Sequence, residues 1–391
     1  MASRVLYVIN GFMRGGAEQG LLTILDNGFM KDADFRVFAF MKGNGTLYDA
    51  LCDRIGADRV TLVSNAPKLT LPSLLIGTLR LFGMVMSWRP KVAILSLKQS
   101  NIAGRFVLGF FPGIWCVGFE HIAQLEAGKL KNVYEGLLKH LSGRVNEVWA
   151  DCESTLVETR AYYTPRPGRV ETVIPLFIRP ANVRTKSDYT LGSPVRLLAV
   201  GRLIARKRYD LVLEAMARQI EKGHDLSLSI FGEGPEQGRL EALAAELGLG
   251  DRVLFKGFVK DWWGNAADYD LFVNPSDEEG FCIVAAEALM TGLPSVCTPV
   301  GGLKDYLVPE QNGLVMARGD LDGLEQGLAR LLQDATLRER LGTTAARDMA
   351  RIYSEAAMRE RLATVSRRLC GVAEAVPHVR QAAPDALTRL D

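Results

Sequence analysis

Two glutamates eight residues apart, Glu279 and Glu287, have the spacing and surroundings best suited to chemistry in this 391-residue chain. They lie in the run Pro275-Ser276-Asp277-Glu278-Glu279-Gly280-Phe281-Cys282-Ile283-Val284-Ala285-Ala286-Glu287, which predicts a strand end, an acidic turn with one glycine, and an apolar helix. A carboxylate among Ala, Val and Leu needs a partner, because burying it alone is costly. The backbone N–H groups of Gly280, Phe281 and Cys282, with Ile283 at the helix start, suit an anionic group, while Glu279 and Glu287 accept from hydroxyls. That combination is what a sugar nucleotide requires. A solvated acidic turn with a half-exposed helical glutamate is the alternative, and it explains less of the pattern.

A cationic counterpart stands upstream. Val200-Gly201-Arg202-Leu203-Ile204-Ala205-Arg206-Lys207 closes a predicted strand with three cations in a loop that begins on glycine. Two of them converging on a diphosphate would neutralise it as a bond to it breaks; solvated surface charge is the alternative. Near the N-terminus a strand ends at Asn10, and Gly15 and Gly16 open a helix where the backbone can approach a ligand and free N–H groups favour an anion. His121 ends another strand, placed to exchange hydrogen bonds with a ligand or to cap and pack.

Two motifs point elsewhere. Gly232-Glu233-Gly234-Pro235-Glu236-Gln237-Gly238 contains GxGxxxG and raises a nicotinamide or flavin oxidoreductase as a rival. Pro235 and two glutamates would crowd a pyrophosphate, and no clean strand-ending acid follows at the usual offset of about 20 residues. Asp268-Tyr269-Asp270 has the form of a DxD metal signature, but its second acid runs directly into an apolar strand, which favours strand-start capping.

The elements that must position these groups alternate between short β-branched runs and longer amphipathic segments, the pattern of parallel sheets in an α/β protein. Seven strands are expected near residues 5–9, 36–40, 60–63, 92–97, 116–120, 147–150 and 170–174, and six more near 195–200, 226–231, 253–255, 270–274, 294–297 and 313–316. The sequence therefore divides into a domain over 1–180, a linker over 181–194 and a second domain over 195–352. A helix over 353–370 is a candidate to pack back on the first domain, and an Ala- and Pro-rich tail, 371–391, is expected to be loose. Ligands bind at the carboxyl ends of parallel strands, so two doubly wound domains facing each other would hold a site between them.

Composition narrows the class. The hydrophobic share of 48% and charged share of 24% fit an ordinary globular chain. Six scattered cysteines form no CxxC pair, as expected of thiols in a reducing cytosol, and no signal peptide is read at the start. The longest uncharged apolar stretch, residues 106–119, is too short to span a bilayer and contains Pro112. Residues 1–180 carry 21 Lys and Arg against 15 Asp and Glu, a net +6, leaving −4 for the remainder. That basic half is too weak for a nucleic-acid track, but it suits an anionic membrane surface or a phosphorylated substrate. The apolar helix expected over Leu71 to Met86, with Arg80 within it and Trp88-Arg89 beyond, either lies at that surface or packs on its sheet.

Taken together, these motifs resemble the GT-B retaining glycosyltransferases of family 4, over nearly the whole chain and most strongly from Val195 to Ala317. The E-x7-E signature matches Glu279 to Glu287, the GGAE loop Gly15 to Glu18, the phosphate loop Val200 to Lys207, and the GxGP segment Gly232 to Pro235. The PVGG…NG run matches Pro299 to Gly302, Asp305, Asn312 and Gly313. The resemblance implies two Rossmann-like domains and sugar transfer from a nucleoside-diphosphate donor, UDP- or GDP-linked, to an acceptor hydroxyl with retention. It implies a catalytic set of His121, Arg202, Lys207 and Glu279. The implied donor-binding set is Gly15, Gly16, Gly201, Gly232, Gly280, Phe281, Cys282, Ile283 and Glu287. No metal or cofactor is expected, since cationic side chains can do the work of an ion. A lipid-linked oligosaccharide acceptor in cell-surface polysaccharide synthesis, handled at the cytoplasmic face of the membrane, fits the basic first half. Two positions depart from the family pattern: Arg208 stands where a glycine usually follows the lysine, and Pro175-Leu176-Phe177 where Pro-Asn-Gly is common.

Overall fold

A computed structural model describes residues 3–13, 16–43, 47–121, 131–180 and 182–371. The chain forms two compact units, 1–178 with 355–391, and 179–354. In the first unit seven parallel strands make one sheet: β1 (Arg4–Gly11), β2 (Asp34–Met41), β3 (Val60–Leu62), β4 (Val92–Ser96), β5 (Trp115–Glu120), β6 (Glu147–Ala150) and β7 (Val170–Val173). Their order is β3-β2-β1-β4-β5-β6-β7. The crossovers carry α1 (Gly16–Asp26), α2 (Leu47–Ile55), α3 (Leu71–Trp88), α4 (Lys98–Leu108), α5 (Lys131–His140) and α6 (Glu153–Thr159). Because both faces of a parallel sheet are covered, its strands are mainly apolar, with Glu120 and Glu147 as buried exceptions. On β1, Val5, Tyr7 and Ile9 enter the core beneath α1, and Leu6 and Val8 enter the core beneath α3 and α4.

The second unit repeats the plan with β8 (Val195–Val200), β9 (Leu226–Phe231), β10 (Val253–Phe255), β11 (Leu271–Asn274), β12 (Ser295–Cys297) and β13 (Leu314–Val315), ordered β10-β9-β8-β11-β12-β13. Its helices are α7 (Tyr209–Glu221), α8 (Gln237–Glu246), α9 (Ile283–Met290), α10 (Leu303–Tyr306), α11 (Leu321–Gln333) and α12 (Ala335–Ile352). Described residues of the segment 181–194, expected as a linker, are bound into this unit. Lys186 N–H donates to the Thr291 carbonyl at 2.7 Å, and Tyr189 is buried against Gly342, where a Cβ would come within 2.3 Å of its ring. Asp270, the second acid of the DxD-like run, is likewise a peg of the fold. It is buried and accepts from the Arg196 N–H at 2.8 Å, with the Lys186 ammonium at 3.8 Å.

The chain then returns to the first unit as α13 (Glu355–Cys370). Its Leu362, Val365 and Leu369 complete the core that holds Phe29 and Trp149. Arg368 donates to the fully buried Glu147 at 2.6 Å, and Glu147 also accepts from the Trp149 indole at 2.6 Å and the Thr172 hydroxyl at 2.8 Å. A buried carboxylate is tolerable only when paired and hydrogen-bonded in this way.

Candidate active site

The second sheet reverses its direction of winding between β8 and β11, which are neighbours in space but not in sequence. The loops leaving their carboxyl ends diverge at such a point, which is where open α/β sheets receive ligands. Gly201 to Lys207 leaves β8, and Pro275 to Cys282 leaves β11. The Lys207 ammonium donates to the Glu279 carboxylate at 2.5 Å, joining the two loops. The Asp277 N–H donates to the Arg206 carbonyl at 2.8 Å, and the Arg208 guanidinium lies 3.6 Å from the Asp277 carboxylate.

Electrostatics hold this pair ionised. Burial alone would lower Lys207, but the facing Glu279 carboxylate outweighs it and leaves the ammonium's pKa raised. Burial would likewise raise Glu279, and Lys207, helped by hydrogen bonds from Ser276 and Cys282, brings it below the usual carboxylate range. Glu287, eight residues on, stands in α9 apart from this pair. Burial pushes its pKa up to about 7, against the effect of the Trp262 indole, which donates to it at 2.7 Å. Trp262 is buried and stacks on Phe272 of β11 at 6.2 Å. The two carboxylates of one signature are therefore in different electrical states near neutrality.

Arg202 is exposed, and its guanidinium makes no hydrogen bond or ion pair among the described residues, although its carbonyl accepts from the Ile204 N–H at 3.0 Å. The backbone that carries it is pinned by glycines of the next loop. A Cβ on Gly232 would lie 1.9 Å from the Gly201 carbonyl oxygen, and one on Gly234 would lie 2.3 Å from that of Leu203. The GxG of this chain thus serves loop-to-loop packing. Arg208 has φ 50° and ψ 41°, the left-handed region in which glycine is favoured, and its guanidinium compensates by binding Asp210 at 3.2 Å.

Phe281 is a core anchor rather than a ligand-facing ring. It is buried against Tyr306 and Tyr353, and the Tyr306 hydroxyl donates to the carbonyls of Phe281, at 3.1 Å, and Cys282, at 2.8 Å. Cys282 is buried, caps α9 with φ 61°, and accepts from the Asn274 amide at 3.1 Å. The Gly280 carbonyl accepts from Gly302 N–H at 2.6 Å, so the loop after β12 braces the signature loop. Ile283 begins α9 and is half-buried.

In the first unit His121 follows β5. It is buried, its Nε2 is 2.8 Å from the Ser96 hydroxyl, and its ring lies 4.2 Å from that of Phe119. Burial drives its pKa down to about 3, so the imidazole is neutral across the physiological range. Its Nδ1 has no partner among the described residues. The preceding Glu120 is locked by the buried Arg105 at 2.9 Å and by the Tyr163 hydroxyl at 2.5 Å, which fixes the end of the strand. Gly16 begins α1 and is exposed; Gly15 lies outside the described residues.

The structure thus gathers Gly201, Lys207, Glu279, Gly280 and Cys282 around two loops, with Gly232 beneath them and Glu287 on the adjoining helix. His121 and Gly16 belong to the other unit. Trp262 and Tyr209 escaped the sequence reading, and Ser276 and Asp277 entered it only as part of an acidic turn. The buried Tyr209 hydroxyl lies 2.9 Å from where a Gly201 Cβ would stand and has no hydrogen-bond partner among the described residues. The Trp262-Trp263 pair in a polar stretch was the available signal for Trp262.

Residues 188–348 match the family described as glycosyl transferases group 1. The lipopolysaccharide core biosynthesis glycosyltransferase LpsD of Rhizobium meliloti (strain 1021) is 30% identical over 340 residues, 85% of this chain and 85% of that protein. The uncharacterized glycosyltransferase MJ1607 of Methanocaldococcus jannaschii is 36% identical over 158 residues, and the match spans 39% of this chain and 40% of that relative's length. Among solved structures, Anabaena Alr3699/HepE in complex with UDP superposes with a TM-score of 0.76 at 18% identity, over 93% of this chain and 99% of that one. The same protein has also been solved with UDP-glucose.

Proposed function

The chain belongs to the glycosyl transferases of group 1, and on that premise we propose that it moves a sugar from a nucleoside-diphosphate donor to an acceptor hydroxyl, with retention at the anomeric carbon. The observation that carries this reading is the Lys207–Glu279 pair at 2.5 Å, held where the second sheet changes its winding direction. In the proposed reaction the bond from the anomeric carbon to the diphosphate oxygen breaks while the acceptor oxygen bonds the same face. The acceptor proton passes to the departing phosphate oxygen. Arg202 and Lys207 offset the charge that grows on the diphosphate, the kind of preorganised stabilisation that supplies most of many rate enhancements. Glu279 and the backbone at Gly280 and Phe281 receive the sugar, and Glu287 receives the ribose hydroxyls. His121, neutral, offers a hydrogen bond to a sugar hydroxyl.

We assign a UDP- or GDP-sugar as donor, a choice supported by the UDP and UDP-glucose complexes of the Anabaena neighbour. The acceptor we propose, a lipid-linked oligosaccharide destined for a cell-surface polysaccharide, draws support from the role of LpsD in lipopolysaccharide core biosynthesis. A thermal-shift panel of UDP-, GDP-, ADP- and TDP-sugars tests the donor. One class should stabilise the protein, and donor hydrolysis should follow it without added metal. Stabilisation by none of the four overturns the assignment, and turnover that EDTA abolishes and Mn²⁺ restores overturns its metal-independent part.

A further inference from the structure

The helix α3 is apolar on more sides than the fold uses. Ser73, Gly77, Leu81 and Val85 form the stripe that it buries, and a Cβ on Gly77 would come within 2.3 Å of the Phe40 ring. The opposite side is covered with large apolar side chains in solvent: Leu71 is 69% exposed, Leu75 59%, Ile76 50%, Leu79 74% and Met86 55%. By length and composition alone α3 could cross a membrane, unlike the stretch 106–119 singled out from sequence. Its buried stripe, integral to the core of the first unit, excludes that role and leaves only the outer face available. The patch does not stop at the helix. Phe82 packs on Phe110 at 5.8 Å, Phe110 on Phe106 at 5.5 Å, and those two rings are themselves 61% and 52% exposed. An uncovered apolar surface of this kind marks a contact site.

The charge carried by this stretch of chain has one sign. From Val60 to Phe119 the sequence contains no Asp or Glu at all, while Lys68, Arg80, Arg89 and Lys91 in that stretch are exposed. Arg80 sits on the rim of the apolar face, and Lys68 lies just before the helix. The acid that the structure brings near the end of α3, Asp34, lies 3.8 Å from Arg36, whose guanidinium covers the Trp88 ring at 4.6 Å. An apolar face whose own helix and flanking turns carry only cations fits the boundary between acyl chains and anionic headgroups, whereas an ordinary protein partner or a second copy would gain from mixed charge. In a parallel sheet, the helix between β3 and β4 starts at the carboxyl end of the strands. The first turns of α3, with Leu71 and Leu75, therefore lie toward the edge of the first unit at which β5 delivers His121.

We propose that the outer face of α3 and the exposed rings of α4 and its following turn seat the protein on the surface of an anionic lipid bilayer, with α3 lying in the interface and not across it. The contact does not depend on which donor is used, so its failure and the failure of the transferase reading are separable. The test is cosedimentation of the full chain with phosphatidylglycerol–phosphatidylcholine vesicles and with phosphatidylcholine vesicles alone, at low and high salt. The wild type should bind the anionic vesicles, bind neutral ones about tenfold or more weakly, and lose affinity with salt. Leu75→Glu with Leu79→Glu, both on the exposed face and outside the donor site, should abolish binding while donor-induced thermal stabilisation persists. Arg80→Glu should weaken binding and flatten its salt dependence. The proposal is overturned if wild-type protein does not bind anionic vesicles, or if the double variant binds them as well as wild type. It is also overturned if sedimentation velocity shows a dimer that the double variant dissolves, since a second copy would then cover the face.

Discussion

Lys207 and Glu279 keep each other charged in a largely dry setting, so neither can be removed without stranding the other. Losing one partner of a buried pair costs about 3–5 kcal/mol, while replacing both with apolar groups is far milder. Urea unfolding of Lys207→Met, Glu279→Leu and the double variant should therefore show either single change to be more destabilising than both together. Activity should fall about 10²-fold or more in all three. Glu287 offers a pH signature. Its folded pKa of about 7 lies above its ordinary value, so the stability it contributes is present in acid and lost as pH rises through 7. Relative to wild type, the melting temperature of Glu287→Gln should accordingly be higher at pH 8 than at pH 5. Donor affinity, which needs the ionised carboxylate to accept hydroxyl protons, should rise through the same interval in the wild type and not in the variant. His121 titrates near 3, so activity between pH 5 and 8 should show no step from it. Arg208 was legible as a departure from the family pattern, but its left-handed backbone and its approach to Asp277 were not: the bond to Asp210 is local, two residues on, while Asp277 arrives on the loop that leaves another strand.

At the scale of elements, short runs of β-branched and apolar residues located the thirteen strands found among the described residues, since burial on both faces imposes composition directly on a parallel strand. Where a helix turns its faces was harder to read. The periodicity of α3 is blurred because apolar residues occur on its buried and exposed sides alike, and only the sheet beneath it shows that Gly77 is the point of closest approach. Gly77→Ala should cost about 1–3 kcal/mol by forcing Phe40 aside, although alanine is the better helix former. A chemical unfolding curve will check this; a stabilised variant would contradict the packing. The glycines of Gly232-Glu233-Gly234 teach a similar lesson. Their spacing suggested a cofactor, yet their hydrogens are needed where one loop passes within contact distance of the carbonyls of Gly201 and Leu203.

At the scale of the molecule, the first unit is assembled from both ends of the chain and the second from its middle. Leu362, Val365 and Leu369 of α13 each contribute burial worth about 1.5–3 kcal/mol, and Glu147 loses its cationic partner without Arg368. A chain ending at Ser354 should therefore fail to fold its first unit. A fragment spanning 179–354, with its own core and the Lys207–Glu279 pair, should fold cooperatively. Circular dichroism melts of the two proteins will distinguish these outcomes.

The amino-acid sequence by itself determined the α/β class, the positions of the strands and the order of the motifs that place the chain among the group 1 glycosyl transferases, because each follows from local periodicity or from residues close in the chain. Tertiary structure alone decided which charges meet and which remain in solvent. Lys207 and Glu279 are 72 positions apart, Glu287 and Trp262 are 25, and Arg368 and Glu147 are 221, and such pairings become visible only once the fold brings these loops and helices together. The same holds for the outer face of α3, whose exposure is set by how little of an apolar helix the sheet can cover.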